Sequence, residues 1–282
     1  MSEHDGRALG PVGGPDAAAG ITGTTRLYAV LGDPVAQVQA PTMLNPLFAR
    51  LGVDAVLVPV HATPERLAEV VRGLQAIGNL DGLLITVPHK IKARAFADDL
   101  SPSVEISGST NAMRREPDGR WFAENFDGTG FVEGLRSQGR SPHRKRVSLV
   151  GAGGAGGAIA AAVLQAGAEH LSVCDHDGRR LDALVSRLAQ RWPGRVTGTA
   201  TPELEAVDIA VNATALGLRA DDPLPFAPAA LPRGTVVADV IMKPRETPLL
   251  RVAAALGHHP HHGSHMLTQQ LGLYQEFFRL NG

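Results

Sequence analysis

Short apolar runs closed by glycine or proline recur along the chain, separated by stretches whose apolar residues return every three or four positions. That alternation predicts strands of a buried sheet connected by helices. Residues 1–25 contain Gly, Ala, Asp, Pro and Ser and almost nothing large and apolar, which predicts a flexible arm. The first run, residues 27–31, ends at Gly32-Asp33-Pro34. A helix over 42–51, a strand over 56–60 and a helix over 64–77, started by Thr63-Pro64, are expected next. A strand over 82–87 is broken by Pro88 and delivers His89 and Lys90 at its C-terminal edge. The second series predicts strands at 147–150, 171–174, 209–212 and 235–240, helices from the glycine-rich turn to 165 and over 180–191, and a closing helix over 267–280. The fold class is therefore α/β, with the second series forming a Rossmann-type, doubly wound parallel sheet covered on both faces.

The turn between 147–150 and its helix carries Gly151, Gly153, Gly154, Ala155 and Gly156. In a strand–turn–helix context the first glycine of this pattern permits the tight turn, the second a close backbone approach to a pyrophosphate, and the third close helix packing. The helix N-terminus then faces the anion. Asp175 closes the next strand at the distance where an acid accepts hydrogen bonds from the ribose hydroxyls of NAD and repels the 2′-phosphate of NADP. NAD is the expected cofactor, and the neighbouring Arg179-Arg180 leaves NADP possible.

A chain of 282 residues with 44% hydrophobic content can bury a sizeable core and divide into two domains around a cleft. The net charge of −1, with no sustained basic run, points to a small-molecule partner and away from nucleic acid or a membrane surface. A single cysteine, Cys174, excludes an intramolecular disulfide framework, and no secretory or membrane-spanning pattern is visible. The expected compartment is cytoplasmic, and the expected assembly a monomer or homodimer.

Seven blocks, in order, carry a family resemblance: Gly32-Asp33-Pro34-Val35, Thr86-Val87-Pro88-His89-Lys90, Gly108-Ser109-Thr110-Asn111, Asn125-Phe126-Asp127-Gly128-Thr129-Gly130-Phe131, Gly151-Ala152-Gly153-Gly154-Ala155, Asn212-Ala213-Thr214 and Glu246-Thr247-Pro248-Leu249-Leu250. Over nearly all of residues 27–280 the chain resembles the shikimate/quinate dehydrogenase family. The resemblance implies hydride transfer between a nicotinamide cofactor and a secondary alcohol or ketone of a shikimate- or quinate-like cyclic polyol. It implies that Lys90 and Asp127 flank the carbinol carbon, that Thr86, Asn111 and Gln270 bind ring hydroxyls, and that Asn212 and Thr214 lie beside the cofactor. The expected division is an arm (1–25), a substrate-binding domain (26–131), a Rossmann domain (132–250) and a C-terminal helical segment (251–282) that returns Gln270 to the cleft. A partly buried lysine of lowered pKa suits removal of the hydroxyl proton, although the adjacent carboxylate favours its ammonium form.

The chain departs from the family where the substrate carboxylate is bound. Two serines and a tyrosine expected there are replaced by Val38, Ala40 and Met242. A hydrogen bond to a charged group is worth roughly 1.5 to 3 kcal/mol, so three lost donors weaken a carboxylate substantially unless Gln37, Gln39, Thr42 or Lys243 substitutes. A related polyhydroxylated or amino-substituted ring, or an analogue without the usual carboxylate contact, is the expected substrate. Two rival functions remain open, a same-fold dehydrogenase of the methylene-tetrahydrofolate type and a non-catalytic NAD-binding sensor or degenerate paralogue. The histidines at 258, 259, 261, 262 and 265 are read as a solvated loop, with no metal site.

Overall fold

The structure, a computed structural model, describes residues 20–219 and 221–280. The first half runs β1 (Arg26–Gly32), α1 (Ala40–Leu51), β2 (Ala55–His61), α2 (Leu67–Gln75), β3 (Leu80–Ile85), α3 (Lys90–Ala93), β4 (Asp99–Leu100), α4 (Pro102–Ser107), β5 (Ala112–Arg115), β6 (Trp121–Glu124) and α5 (Asp127–Ser137). Its strands lie in the order β2-β1-β3-β5-β6-β4. The sheet is mixed, because β5 pairs antiparallel with both β3 and β6. These short strands were not expected: β5 and β6 carry Arg114, Arg115 and Glu124 among their few residues, which hides any alternation.

The second half runs β7 (Arg146–Val150), α6 (Gly154–Gln165), β8 (His170–Cys174), α7 (Gly178–Arg191), β9 (Val196–Thr199), β10 (Ile209–Asn212), β11 (Val236–Asp239), α8 (Pro248–Ala255), β12 (His259–His261) and α9 (Gly263–Phe277). Its six strands form the order β12-β11-β10-β7-β8-β9, parallel throughout. Local chemistry sets the helix starts. Asp177 accepts the backbone N–H of Arg180 at the head of α7, and Thr247 accepts that of Leu250, with Pro248 beginning α8.

Three features correct the expected divisions. Position 131 falls inside α5, position 250 falls inside α8, and β12 of the second sheet lies beyond 250. Residues 1–19 of the expected arm lie outside the described residues. Thr24 and Thr25, at its end, each donate a hydroxyl hydrogen bond of 2.7 Å to Asp54, so this part docks on the first half.

One face of the first sheet packs Tyr28, Leu57 and Leu84 against Phe48 of α1 and against Tyr274, Phe277 and Phe278, so α9 returns to the first half. The opposite face buries Leu31, Leu83 and Met113 with Val71 of α2. The second core joins Leu149, Leu171 and Val211 to Ile159 and Leu164 of α6 and Leu184 of α7. Helix α5 belongs to both halves. A Cβ on its Gly128 would lie 2.2 Å from the Ala158 carbonyl of α6, so only a glycine permits that crossing. No helix among the described residues is long and apolar enough to cross a membrane.

Candidate active site

The C-terminal ends of strands from both sheets face a common cleft, the position where open α/β sheets take ligands. Its cavity of about 330 Å³ is lined from the first half by Thr86, Lys90, Asn111 and Asp127, and from the second by Gly153, Gly154, Ala155 and Thr214. Gln270 and Tyr274 enter from α9.

Lys90 opens α3 and Asp127 opens α5. Lys90 Nζ lies 2.5 Å from Asp127 Oδ2, with the two side chains 14% and 3% exposed. Asp127 Oδ1 accepts from Asn111 Nδ2 at 3.0 Å and from Gln270 Nε2 at 3.3 Å. Both amides are oriented by what their oxygens accept: Asn111 Oδ1 takes the Phe126 N–H at 2.9 Å and Gln270 Oε1 takes the Tyr274 hydroxyl at 2.6 Å. Tyr274 also accepts from Asn111 Nδ2 at 3.2 Å. Complete burial, with Asp127 nearby, raises its phenol well above the usual range, so Tyr274 stays a neutral donor. Sequence reasoning missed Tyr274. Its only signal is its position four residues after Gln270, one helical turn on.

Asn111 and Gln270 therefore differ from the expected ring-hydroxyl binders in one respect: they are already engaged with Asp127. Both hydrogens of Asn111 Nδ2 are used. Thr86 lines the cavity with its hydroxyl unpartnered among the described residues.

On the opposite wall, Gly151 adopts φ +108° and a Cβ on Gly156 would lie 1.9 Å from the Gly151 carbonyl, so the turn requires glycine at both positions. A Cβ on Gly153 would meet nothing within 4 Å. No side chain caps α6, whose N-terminus faces this space. The turn thus fits a dinucleotide diphosphate.

Two expected cofactor residues are placed differently. Asn212 is fully buried. Its Nδ2 donates to the Leu216 carbonyl at 3.0 Å and to Asp239 Oδ1 at 3.1 Å, and its Oδ1 accepts from the Thr214 hydroxyl at 2.7 Å. It shapes the Thr214 turn from behind and does not line the cleft. Asp175 turns inward, its Oδ2 accepting from Ala152 N at 2.6 Å and its Oδ1 from Asp177 N and Arg180 Nη2, both at 2.8 Å. Burial opposes its charge, but these bonds and the Arg180 guanidinium outweigh it and hold the carboxyl below its ordinary range.

Val38, Ala40 and Met242, at the positions expected to meet a substrate carboxylate, all line the cavity. Gln37 and Gln39, which also line the cavity, each commit one amide hydrogen to backbone, donating to the Pro34 and Gln37 carbonyls at 2.7 and 3.0 Å, and keep the other. The Thr42 hydroxyl is likewise bound, to the Gln39 carbonyl at 2.8 Å. Lys243 borders the cavity.

The histidine segment is not a solvated loop. His258 is buried with Nε2 2.9 Å from the Pro228 carbonyl. His261, 1% exposed, stacks on His265 with ring centres 4.9 Å apart. It is edge-on to Phe131. Burial, reinforced by His265, Arg140 and His262, pushes His261 down to about 3. Among the described residues no three His, Cys, Asp or Glu side chains are grouped to hold a metal ion.

Comparison with known proteins gives this geometry a context. Residues 30–113 match the model of the shikimate dehydrogenase substrate binding domain. A protein of Rubrobacter xylanophilus named shikimate dehydrogenase (NADP(+)) is 40% identical over 243 residues, covering 84% of each chain. The crystal structure of shikimate 5-dehydrogenase from Listeria monocytogenes, in complex with shikimate and NAD, is similar with a TM-score of 0.78 and 27% identity over 92% of each chain. That of 5-ketofructose reductase of Gluconobacter sp. strain CHM43 is similar with a TM-score of 0.77 and 28% identity, over 90% of this chain and 92% of that one. Fold and cleft define an oxidoreductase that works with a nicotinamide cofactor. Its extensive identity to the Rubrobacter enzyme goes further: the chain belongs to the shikimate dehydrogenase family.

Proposed function

We propose that the protein transfers hydride between NAD and a secondary alcohol or ketone of a shikimate- or quinate-like polyol that offers no carboxylate to Val38, Ala40 and Met242. The observation that carries this reading is the Lys90–Asp127 pair facing the glycine turn across the cleft.

A dinucleotide with its diphosphate on the turn would supply, through its nicotinamide, the chemistry of accepting or returning hydride. Lys90 Nζ takes the carbinol proton in the oxidative direction and gives one back in the reductive direction. Asp127 holds Nζ toward the cleft through its 2.5 Å contact, while Asn111 and Gln270 fix the carboxylate. Thr86, with its free hydroxyl, and the unused hydrogen of Gln270 Nε2 are the donors for ring hydroxyls. Thr214 and Ala155 border the cofactor.

NAD is favoured because Asp175 keeps its negative charge just after β8, where it opposes a 2′-phosphate, although Arg180 and not Asp175 lines the cavity. A ribose hydroxyl would share its Oδ2 with Ala152 N. Arg180 offsets part of that charge, which keeps NADP usable, in line with the Rubrobacter relative's name.

The donor-poor wall also favours a second reading, reduction of a polyhydroxy ketone with no acid group. The name of the Gluconobacter neighbour, a 5-ketofructose reductase, describes such chemistry. The test is a 340 nm screen with NAD and NADP against shikimate, quinate, aminoshikimate, carboxylate-free cyclic polyols and polyhydroxy ketones, comparing wild type with Lys90→Ala. NAD-preferring turnover of a carboxylate-free compound, lost in the variant, is the expected result. Efficient turnover of shikimate alone would overturn the substrate reading, and equal turnover by Lys90→Ala the assignment of the lysine.

A further inference from the structure

The segment between α4 and β5 touches the glycine turn directly. Ser109 is fully buried, and its hydroxyl donates to the carbonyl of Gly154, the first residue of α6, at 2.7 Å. That hydroxyl accepts from Asn125 Nδ2 at 2.9 Å, and the Ser109 carbonyl accepts from the same nitrogen at 3.0 Å. Asn125 Oδ1 in turn accepts the backbone N–H of Asp127 at 3.0 Å. An unbroken hydrogen-bonded path thus leads from the acid of the catalytic pair to the residue that opens the cofactor helix.

The other member of the pair meets the same point. A Cβ on Gly154 would lie 2.4 Å from Lys90 Cβ, so the lysine stem rests on the turn. The Lys90 carbonyl accepts from Thr110 N at 2.9 Å, which returns to the Ser109 segment. Beside it, Arg187 of α7 donates to the Ile106 and Ser107 carbonyls at 3.2 and 3.1 Å, fastening the end of α4 to the second half. Gly154 and Ser109 form a junction where cofactor wall and catalytic pair share backbone contacts.

We infer that Ser109 is a positioning residue that sets the register between the glycine turn and the Lys90–Asp127 pair, so that a dinucleotide seated on the turn is sensed at the pair. This rests on the proposed reading of the turn as the cofactor site. Ser109 is not among the residues lining the cleft, and its hydroxyl is committed to the Gly154 carbonyl. Its loss therefore acts on the geometry of transfer more than on cofactor affinity.

The test is hydrogen exchange by mass spectrometry on the full chain, with and without saturating NAD, for wild type and Ser109→Ala, with the near-isosteric Ser109→Cys as a second variant. In wild type, NAD slows exchange at 151–157 and also across the junction at 107–111 and 125–127. In Ser109→Ala the protection at 151–157 stays and that at the junction is lost, with Ser109→Cys between the two. On the best substrate of the screen, kcat of Ser109→Ala falls about 10-fold while KM for NAD stays within about twofold. Equal junction protection in wild type and Ser109→Ala, or a raised KM with unchanged kcat, overturns the inference alone. No protection anywhere in wild type overturns the cofactor reading and this inference with it.

Discussion

The two ends of the cleft are built on opposite principles. At the reacting end, Lys90, Asp127, Asn111, Gln270 and Tyr274 form a buried network in which the groups orient one another. At the anchoring end, Val38, Ala40 and Met242 offer a substrate no hydrogen-bond donor, and the nearby glutamines donate to backbone. On the proposed function, the difference makes proton handling and substrate recognition separable demands on one site. The first fixes residue identity, because a proton must be held at a defined atom. The second requires only complementarity, which apolar side chains supply to a different ligand.

Removing the reacting end is expected to have the largest effect. Lys90→Ala should lower kcat/KM by about 10³-fold, within the usual range for loss of a positioned acid–base group. Steady-state kinetics check this, and activity within a few-fold of wild type would place proton transfer elsewhere. Rebuilding the anchoring end comes next. Val38→Ser, Ala40→Ser and Met242→Tyr together should raise kcat/KM for shikimate relative to a carboxylate-free ring by about 10²-fold, the scale of one or two charged hydrogen bonds. An unchanged ratio would show that these positions do not face the discriminating group.

A third region sharpens the contrast, because His261 is buried with neither ring nitrogen partnered. Its value of about 3 in the folded protein lies below the ordinary 6.5, so the unfolded chain takes up the proton first. The folded state is then fully favoured above about pH 6.5 and loses stability as pH falls toward 3. Between pH 7 and 5 this amounts to about 2 kcal/mol. Denaturant unfolding should show His261→Leu losing less over that interval by about this amount, and parallel pH profiles would contradict the assignment. The smallest expected effect is at Asp175, where Asp175→Asn should shift the NAD to NADP ratio of kcat/KM by about 10-fold toward NADP, through loss of a carboxylate–phosphate repulsion partly offset by Arg180.

Legibility in the sequence followed the strength of local signals. The four central strands of the second sheet were readable because β7, the glycine turn and α6 follow each other without interruption, and β10 coincides with the expected run at 209–212. Strands β4, β5, β6, β9 and β12 were not readable, being two to four residues long and rich in charged, small or histidine side chains. Lys90, Asp127, Thr86 and Asn111 were legible through the blocks around them and Gln270 only through the family resemblance, and all five line the cleft. Tyr274 was not, since a tyrosine in a closing helix looks like any core residue until the fold turns it toward Asn111. The buried histidines were misplaced, and the backbone contacts of Asn212 were not foreseen, for a related reason. Polar side chains at strand ends are as readily used to organise the backbone behind a site as to face it, and only packing decides between the two.

The most direct test of the account compares kcat/KM for shikimate with that for its counterpart lacking the carboxylate, under NAD saturation, in the wild-type protein. The account predicts that the carboxylated ring has no advantage, because the side chains of Val38, Ala40 and Met242 give its charge no hydrogen-bond donor. A preference for shikimate of about 10²-fold or more would contradict it, and would mean that Lys243 or another donor has taken over the anchoring of the acid.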